Sequence, residues 1–154
     1  MIKSLKKNKS FNLRIKIVNT LMLNGKKKTG EKILLKSIKN LLRSTSKNSR
    51  CILQLAIINS TSAFKLNERI VKKGKRKAVK VTPSFIVKDS LRIMTSLKLL
   101  KISVSKNKSS KNFYKTLTKE FLASAFLKSQ SVLKKNELQN QVLMNKRYLS
   151  KFRW

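Results

Sequence analysis

Residues 11–43 read FNLRIKIVNTLMLNGKKKTGEKILLKSIKNLLR, and their spacing decides the fold of the chain. Phe11, Ile15, Val18 and Met22 recur at helical intervals, and Ile17 and Leu21 widen the apolar stripe. Asn24-Gly25 stops this helix, because glycine accepts the left-handed conformation that a C-terminal cap requires. Lys26-Lys27-Lys28 follows with no acidic residue beside it. Thr29 is the expected N-cap of a second helix, with Glu31 in its first turn near the positive end of the dipole. Along that helix Leu34, Ile38, Leu41 and Leu42 share one face, while Lys32, Lys36, Lys39 and Arg43 share another. A solvated helical hairpin would also carry surface lysines. Four basic residues on one face beside a triple-lysine turn, with one carboxylate near, fit a polyanion-binding surface better.

Outward from this stretch, Met1–Ser10 is a basic arm carrying Lys3, Lys6, Lys7 and Lys9 with no clear period. Ser44–Arg50 reads as a polar linker, and Ser49 is the expected cap of a third helix in which Ile52, Leu55, Ala56 and Asn59 share a face. From Phe64 to Pro83 the period turns to that of strands: Phe64, Leu66, Glu68 and Ile70 alternate with their neighbours, and Val79 and Val81 resume the alternation. A β-hairpin with a basic tip around Gly74 is predicted, built from Lys72, Lys73, Lys75, Arg76 and Lys77 and ended by Pro83. Asp89 or Ser90 caps a fourth helix with Ile93, Leu97, Leu100 and Val104 inward, and Ser105–Lys111 is a loop. Phe113, Leu117, Phe121 and Ala125 mark a fifth helix. Asn136 is the expected N-cap of a sixth, in which Leu138, Val142, Leu149 and Phe152 oppose Lys146, Arg147 and Lys151.

At 154 residues a single domain is expected. The net charge of +34, from 39 Lys plus Arg against 5 acids, opposes a compact state unless a polyanion neutralises it. No apolar run approaches a membrane span, and the longest, Ile52–Ile58, is broken by Gln54. An apolar content of 40% is too high for a purely disordered tail, so a folded, nucleic-acid-bound protein is the expectation. The chain has no histidine and a single cysteine, Cys51, expected as a buried structural thiol. His-based acid–base catalysis, disulfide frameworks and Cys/His zinc sites are thereby excluded. The five acids stand singly, and three glycines build no phosphate-cradling loop, so neither catalytic residues nor a cofactor is expected. Thirty-one of the 39 basic residues are lysine, and asparagine and isoleucine abound, as an adenine- and thymine-rich organellar genome would favour. Met1–Ser10 lacks the apolar core of a secretory signal and the arginine of a transit peptide, so synthesis inside the organelle is expected.

Three stretches resemble the ribosomal protein S7 family of the small subunit. In the first, the Ile17-Val18 step precedes a Gly25-Lys26-Lys27 turn, followed by apolar Ile33-Leu34 and small Ser37. In the second, Leu117, Glu120, Leu122 and Ala125 fall on a Leu-x-x-Glu-Leu-Leu-x-x-Ala pattern, with Phe121 at the first paired leucine. In the third, Lys134, Lys135 and Glu137 lead to a Phe152-Arg153-Trp154 close that looks like the family's Tyr-Arg-Trp. The chain departs from the pattern in the middle. Lys72-Lys73 stand where the family has paired glycines, the hairpin-tip aromatic and the Arg-Trp pair of the fourth helix are missing, and Gln139-Asn140-Gln141 replaces Thr-His-Arg.

The resemblance implies a mainly α domain of about six helices with one protruding hairpin at about 64–83. It also implies binding to the head domain of small-subunit rRNA, help in nucleating head assembly beside neighbouring head-domain proteins, and a hairpin near the exit-site tRNA and mRNA. With lysine dominant and the aromatics at core-like spacings, recognition should rest on phosphate contact and RNA shape. If about ten lysines engage phosphate, log affinity falls with log salt at a slope of roughly −7 to −9. The expected contact residues are Lys26, Lys27, Lys28, Lys32 and Lys36, the hairpin tip, the arm lysines, Lys134, Lys135, Arg153 and Trp154. A mitochondrial ribosome is the expected location, with the plastid as alternative. A nucleoid-type DNA-binding protein would share the charge, and a basic membrane-surface protein would need an exposed apolar helix face.

Overall fold

The computed structural model describes residues 13–45, 48–73, 76–106 and 112–145. Six helices and one hairpin follow in the expected order: α1 (Leu13–Leu21), α2 (Lys27–Ser44), α3 (Ser49–Ser60), β1 (Phe64–Lys73), β2 (Arg76–Phe85), α4 (Asp89–Lys106), α5 (Phe113–Ala125) and α6 (Gln130–Met144). The mainly α reading with one hairpin holds. Among the described residues no helix is long and apolar enough to cross a membrane.

α5 is the hub. It packs against α2, α3, α4 and α6, and its Leu117 and Phe121 are each only 1% exposed. Ile17, Val18, Leu34, Leu41, Ile52, Ala56, Leu97, Leu100 and Val104 close around it. Where helices cross, the core uses serine. Ser37, Ser60, Ser96, Ser103 and Ser124 are fully buried. Most hydroxyls are satisfied by a carbonyl one turn back, as Ser37 Oγ is by Ile33 O (2.9 Å), Ser60 Oγ by Ala56 O (2.8 Å) and Ser103 Oγ by Leu99 O (3.1 Å). A small side chain that carries its own acceptor lets backbones approach without leaving an unpaired group.

The first helical pair follows the expected stripe on α2, where Gly30, Leu34, Ser37 and Leu41 are buried, but Leu42 is exposed. Gly25 (φ 72°) and Asn24 (φ 49°) both take the left-handed conformation at the turn. Gly30 has a different reason: a Cβ there would lie 3.3 Å from Val18 O, so the helices meet closely at this point. α2 begins two residues before the expected cap. Lys26 is the N-cap, with no side-chain cap hydrogen bond, and Thr29 Oγ1 instead donates back to Lys26 O at 2.6 Å. At α3 the cap is Asn48, whose Oδ1 accepts from Arg50 N at 3.0 Å, one residue ahead of Ser49. Cys51 is exposed, contrary to expectation. It stands on the outer stripe with Leu55 and Ile58, opposite the buried Ile52, Ala56 and Ser60.

The hairpin pairs Phe64 with Phe85 through Lys73 with Arg76. Pro83 does not end it. It lies buried within β2 opposite Leu66, a place a residue without an N–H can hold in a two-stranded sheet, where alternate N–H groups point away from the partner. The base is fastened to α4 by Arg92, whose Nε donates to Ile86 O (2.7 Å) and whose guanidinium lies 4.9 Å from the Phe85 ring centroid. Phe85 meets Phe64 edge-to-face at 5.7 Å. Asp89 heads α4 from inside its first turn and pairs with Arg92 at 3.5 Å.

α6 starts earlier than Asn136, at Gln130, with Ser129 as N-cap; Ser129 Oγ accepts from Val132 N at 3.2 Å. Buried Glu120 reaches across from α5 and accepts from Ser131 N (3.2 Å), so it caps the contact between the two helices. Between them the chain makes a Schellman turn: Lys128 N donates to Ala123 O (2.8 Å) and Leu127 N to Ser124 O (3.1 Å). The left-handed position is filled by Leu127, φ 61° and 60% exposed, where glycine or asparagine is the usual residue. Leu127→Gly is therefore expected to stabilise the fold by about 0.5–1 kcal/mol, read as a higher urea midpoint with unchanged cooperativity.

Candidate nucleic-acid interface

A basic ridge runs along the outer side of α2. Lys26, Lys27 and Lys28 are exposed at the α1–α2 turn, and Lys32, Lys36, Lys39 and Arg43 continue along the helix. The intervals of four, four, three and four residues from Lys28 to Arg43 keep them on one side, opposite the buried stripe. Their arrangement is a consequence of the core pattern: once Leu34, Ser37 and Leu41 turn inward, the lysines have nowhere else to point. Lys36 Nζ also sits 5.8 Å from the Tyr114 ring centroid, which holds its stem toward α5. Asp89 and Arg92 form an ion pair in α4 rather than on this ridge.

The hairpin supplies a second basic element. Its register sets Arg69 opposite Lys80, Lys72 opposite Lys77 and Lys73 opposite Arg76. Lys72 is exposed, as are Ile70 and Val79 nearer the base. Lys75 at the tip, together with Lys3, Lys6, Lys7, Lys9, Arg153 and Trp154, lies outside the described residues. So do Phe11, Lys146, Arg147, Leu149, Lys151 and Phe152.

Two expected contact residues lie elsewhere in the fold than their sequence reading placed them. Lys134 and Lys135 do not precede the last helix; they lie within α6, half-buried. Lys135 Nζ donates to Asn59 O (2.8 Å) in the last turn of α3, and Asn59 Nδ2 in turn donates to Ser124 O and Ala125 O, both at 3.0 Å, at the end of α5. Lys134 Nζ is buried and has no hydrogen-bond partner among the described residues. Sequence reading also missed Lys101, whose Nζ donates to Thr20 O (2.7 Å) in the last turn of α1. The ammonium groups of Lys135 and Lys101 complement the negative ends of α3 and α1. Lys135→Met should lower stability by about 1–2 kcal/mol while leaving RNA affinity and its salt dependence unchanged, as thermal unfolding and filter binding would show.

With this geometry established, comparison with known proteins gives a consistent result. The small ribosomal subunit protein uS7 of Mycoplasma mobile (strain ATCC 43663 / 163K / NCTC 11711) is 29% identical over 139 residues, covering 90% of this chain and 85% of that protein. The family described as ribosomal protein S7p/S5e matches residues 3–146. A match over nearly the whole chain includes the α1–α2 turn, the hairpin and the α5–α6 pair, and so the chain belongs to the ribosomal protein S7p/S5e family, with a structural role in the ribosome.

Proposed function

We propose that this protein is a structural constituent of the small ribosomal subunit, binding the head domain of small-subunit rRNA and helping to nucleate assembly there. The observation that carries the reading is the exposed, uncompensated ridge from Lys26 to Arg43 on a bundle whose family is ribosomal. The similarity to the Mycoplasma mobile small ribosomal subunit protein uS7 supports the small subunit in particular. RNA is gripped through phosphate by lysines held on rigid helices, with shape rather than base edges setting the register. The hairpin, cationic on both strands near its tip, reaches toward the exit-site tRNA and mRNA.

The ribosome concerned is mitochondrial in this proposal, with the plastid as the other organelle that fits. The lysine- and asparagine-rich composition supports an organellar gene. One experiment tests both levels. An organellar lysate is sedimented at high salt, with and without nuclease. The protein should travel with the small subunit and be released by nuclease digestion. A polypeptide recovered free of ribosomes, or one indifferent to nuclease, would end the reading; equal affinity for duplex DNA and folded rRNA at physiological salt would replace it with DNA packing.

A further inference from the structure

α1, α2 and α3 leave an open cleft of about 840 Å³ between them, closed at one side by Ile93 of α4. Leu13, Ile17, Leu34, Ile38, Leu53 and Ile57 give it an aliphatic wall. Arg14 and Arg50 line it as well and are exposed, whereas among the described residues no carboxylate and no aromatic ring does. The apolar surface continues beyond the cleft. Ile58 lines it while 65% exposed, and Leu55 and Cys51 extend the same stripe of α3 at helical intervals. On α2, Leu35 and Leu42 are exposed on either side of Ile38 along the helix.

We propose that this cleft docks an apolar segment of another protein whose carboxylates meet Arg14 and Arg50. Among the described lining residues no ring offers a base a stacking platform, and RNA held by phosphate on Arg14 and Arg50 alone would leave the aliphatic wall in water. A second copy of the chain would bring another net charge of +34 to the same place. The chain's own residues 1–12 carry Lys3, Lys6, Lys7 and Lys9 and no acid, so they match the two arginines in sign. What remains is a chain with the opposite charge and side chains that aliphatic walls exclude from water. The proposal deepens the ribosomal reading and rests on it for where the partner is met, namely a neighbouring protein of the small subunit.

The test places p-benzoylphenylalanine at Gln54, an exposed lining residue, in the full-length protein expressed in its native compartment. Intact organelles are irradiated and then fractionated. The expected adduct resists nuclease and contains a second polypeptide. Its cross-linked peptide has apolar residues with an Asp or Glu within about one helical turn. Arg14→Glu combined with Arg50→Glu should lower the yield by about tenfold, since attraction becomes like-charge repulsion, while lysine at both positions keeps most of it. A nuclease-sensitive adduct, a dimer of this chain, a cross-link to residues 1–12, a lipid adduct, no adduct, or a yield indifferent to charge reversal would each overturn the proposal. The share of protein in the small-subunit fraction reports separately on the ribosomal reading: protein that sediments with the subunit but forms no adduct sinks the cleft alone.

Discussion

Phe121→Ala is expected to unfold the free protein at ambient temperature. Phe121 is 1% exposed and is the largest fully buried side chain. It sits on α5, the helix against which α2, α3, α4 and α6 all pack. The ring leaves only a void of about 10 Å³ beside it, against Leu117, Leu97, Leu100, Ile17 and Leu21. Because those neighbours come from three helices, α1, α4 and α5, none can move into the space without leaving another contact. Truncation should therefore cost about 3–5 kcal/mol, the transfer loss plus an unfilled cavity. A domain of this kind has about 5–15 kcal/mol in hand, and a charge of +34 from self-repulsion moves it toward the lower end. Circular dichroism without RNA should show the cooperative transition lost or its urea midpoint far lower. Phe121→Leu, which restores most of the volume, should cost under about 1.5 kcal/mol. Adding rRNA at about 100 times its dissociation constant should return roughly 2.7 kcal/mol to either variant, by mass action on the folded state. An alanine variant as stable as the parent would show that α5 is not the hub.

The period of the apolar residues made the fold legible, and the caps show where that reading stops. Leu97, Leu100 and Val104, or Leu117 and Phe121, repeat with a helix's own interval and are buried as their spacing predicts. Helix starts depend on one hydrogen bond rather than on a period. Asn48 and Ser49, or Ser129 and Asn136, are all competent caps by type, and tertiary contacts choose between them. Glu120 illustrates the choice: it reaches Ser131 N only because α5 and α6 pack, and so fixes α6 seven residues ahead of Glu137. The core serines were invisible for a similar reason. Ser60 and Ser96, 2.8 Å apart, count as surface residues until two helices are known to cross there. The ridge on α2 was legible because its lysines answer to the same period as the core. The roles of Lys101 and Lys135 were not, since a lysine that reaches a distant helix end carries no local mark of doing so.

Changing Lys26, Lys27 and Lys28 together to alanine should produce the largest loss of RNA affinity available from three substitutions. All three are exposed and follow a left-handed Asn24-Gly25 turn; Lys26 is the N-cap of the 18-residue α2, with no side-chain cap hydrogen bond, and Lys27 and Lys28 are its first two residues. The positive end of that helix adds to the attraction of the lysines for phosphate. Each phosphate neutralised contributes about 0.7–0.9 to the salt slope, so the plot of log affinity against log salt should become shallower by roughly two to three. Extrapolated from 1 M salt, the same term lowers affinity at 0.1 M by about a hundredfold or more. Stability should hardly change, because none of the three side chains is in the core. Lys135→Met supplies the control with the opposite expected signature, a weaker fold with an unaltered slope, since its ammonium donates to Asn59 O. If the triple variant keeps the parental slope, the turn does not touch phosphate. The grip would then have to lie along Lys32, Lys36, Lys39 and Arg43, which the same titration on their alanine variants would read.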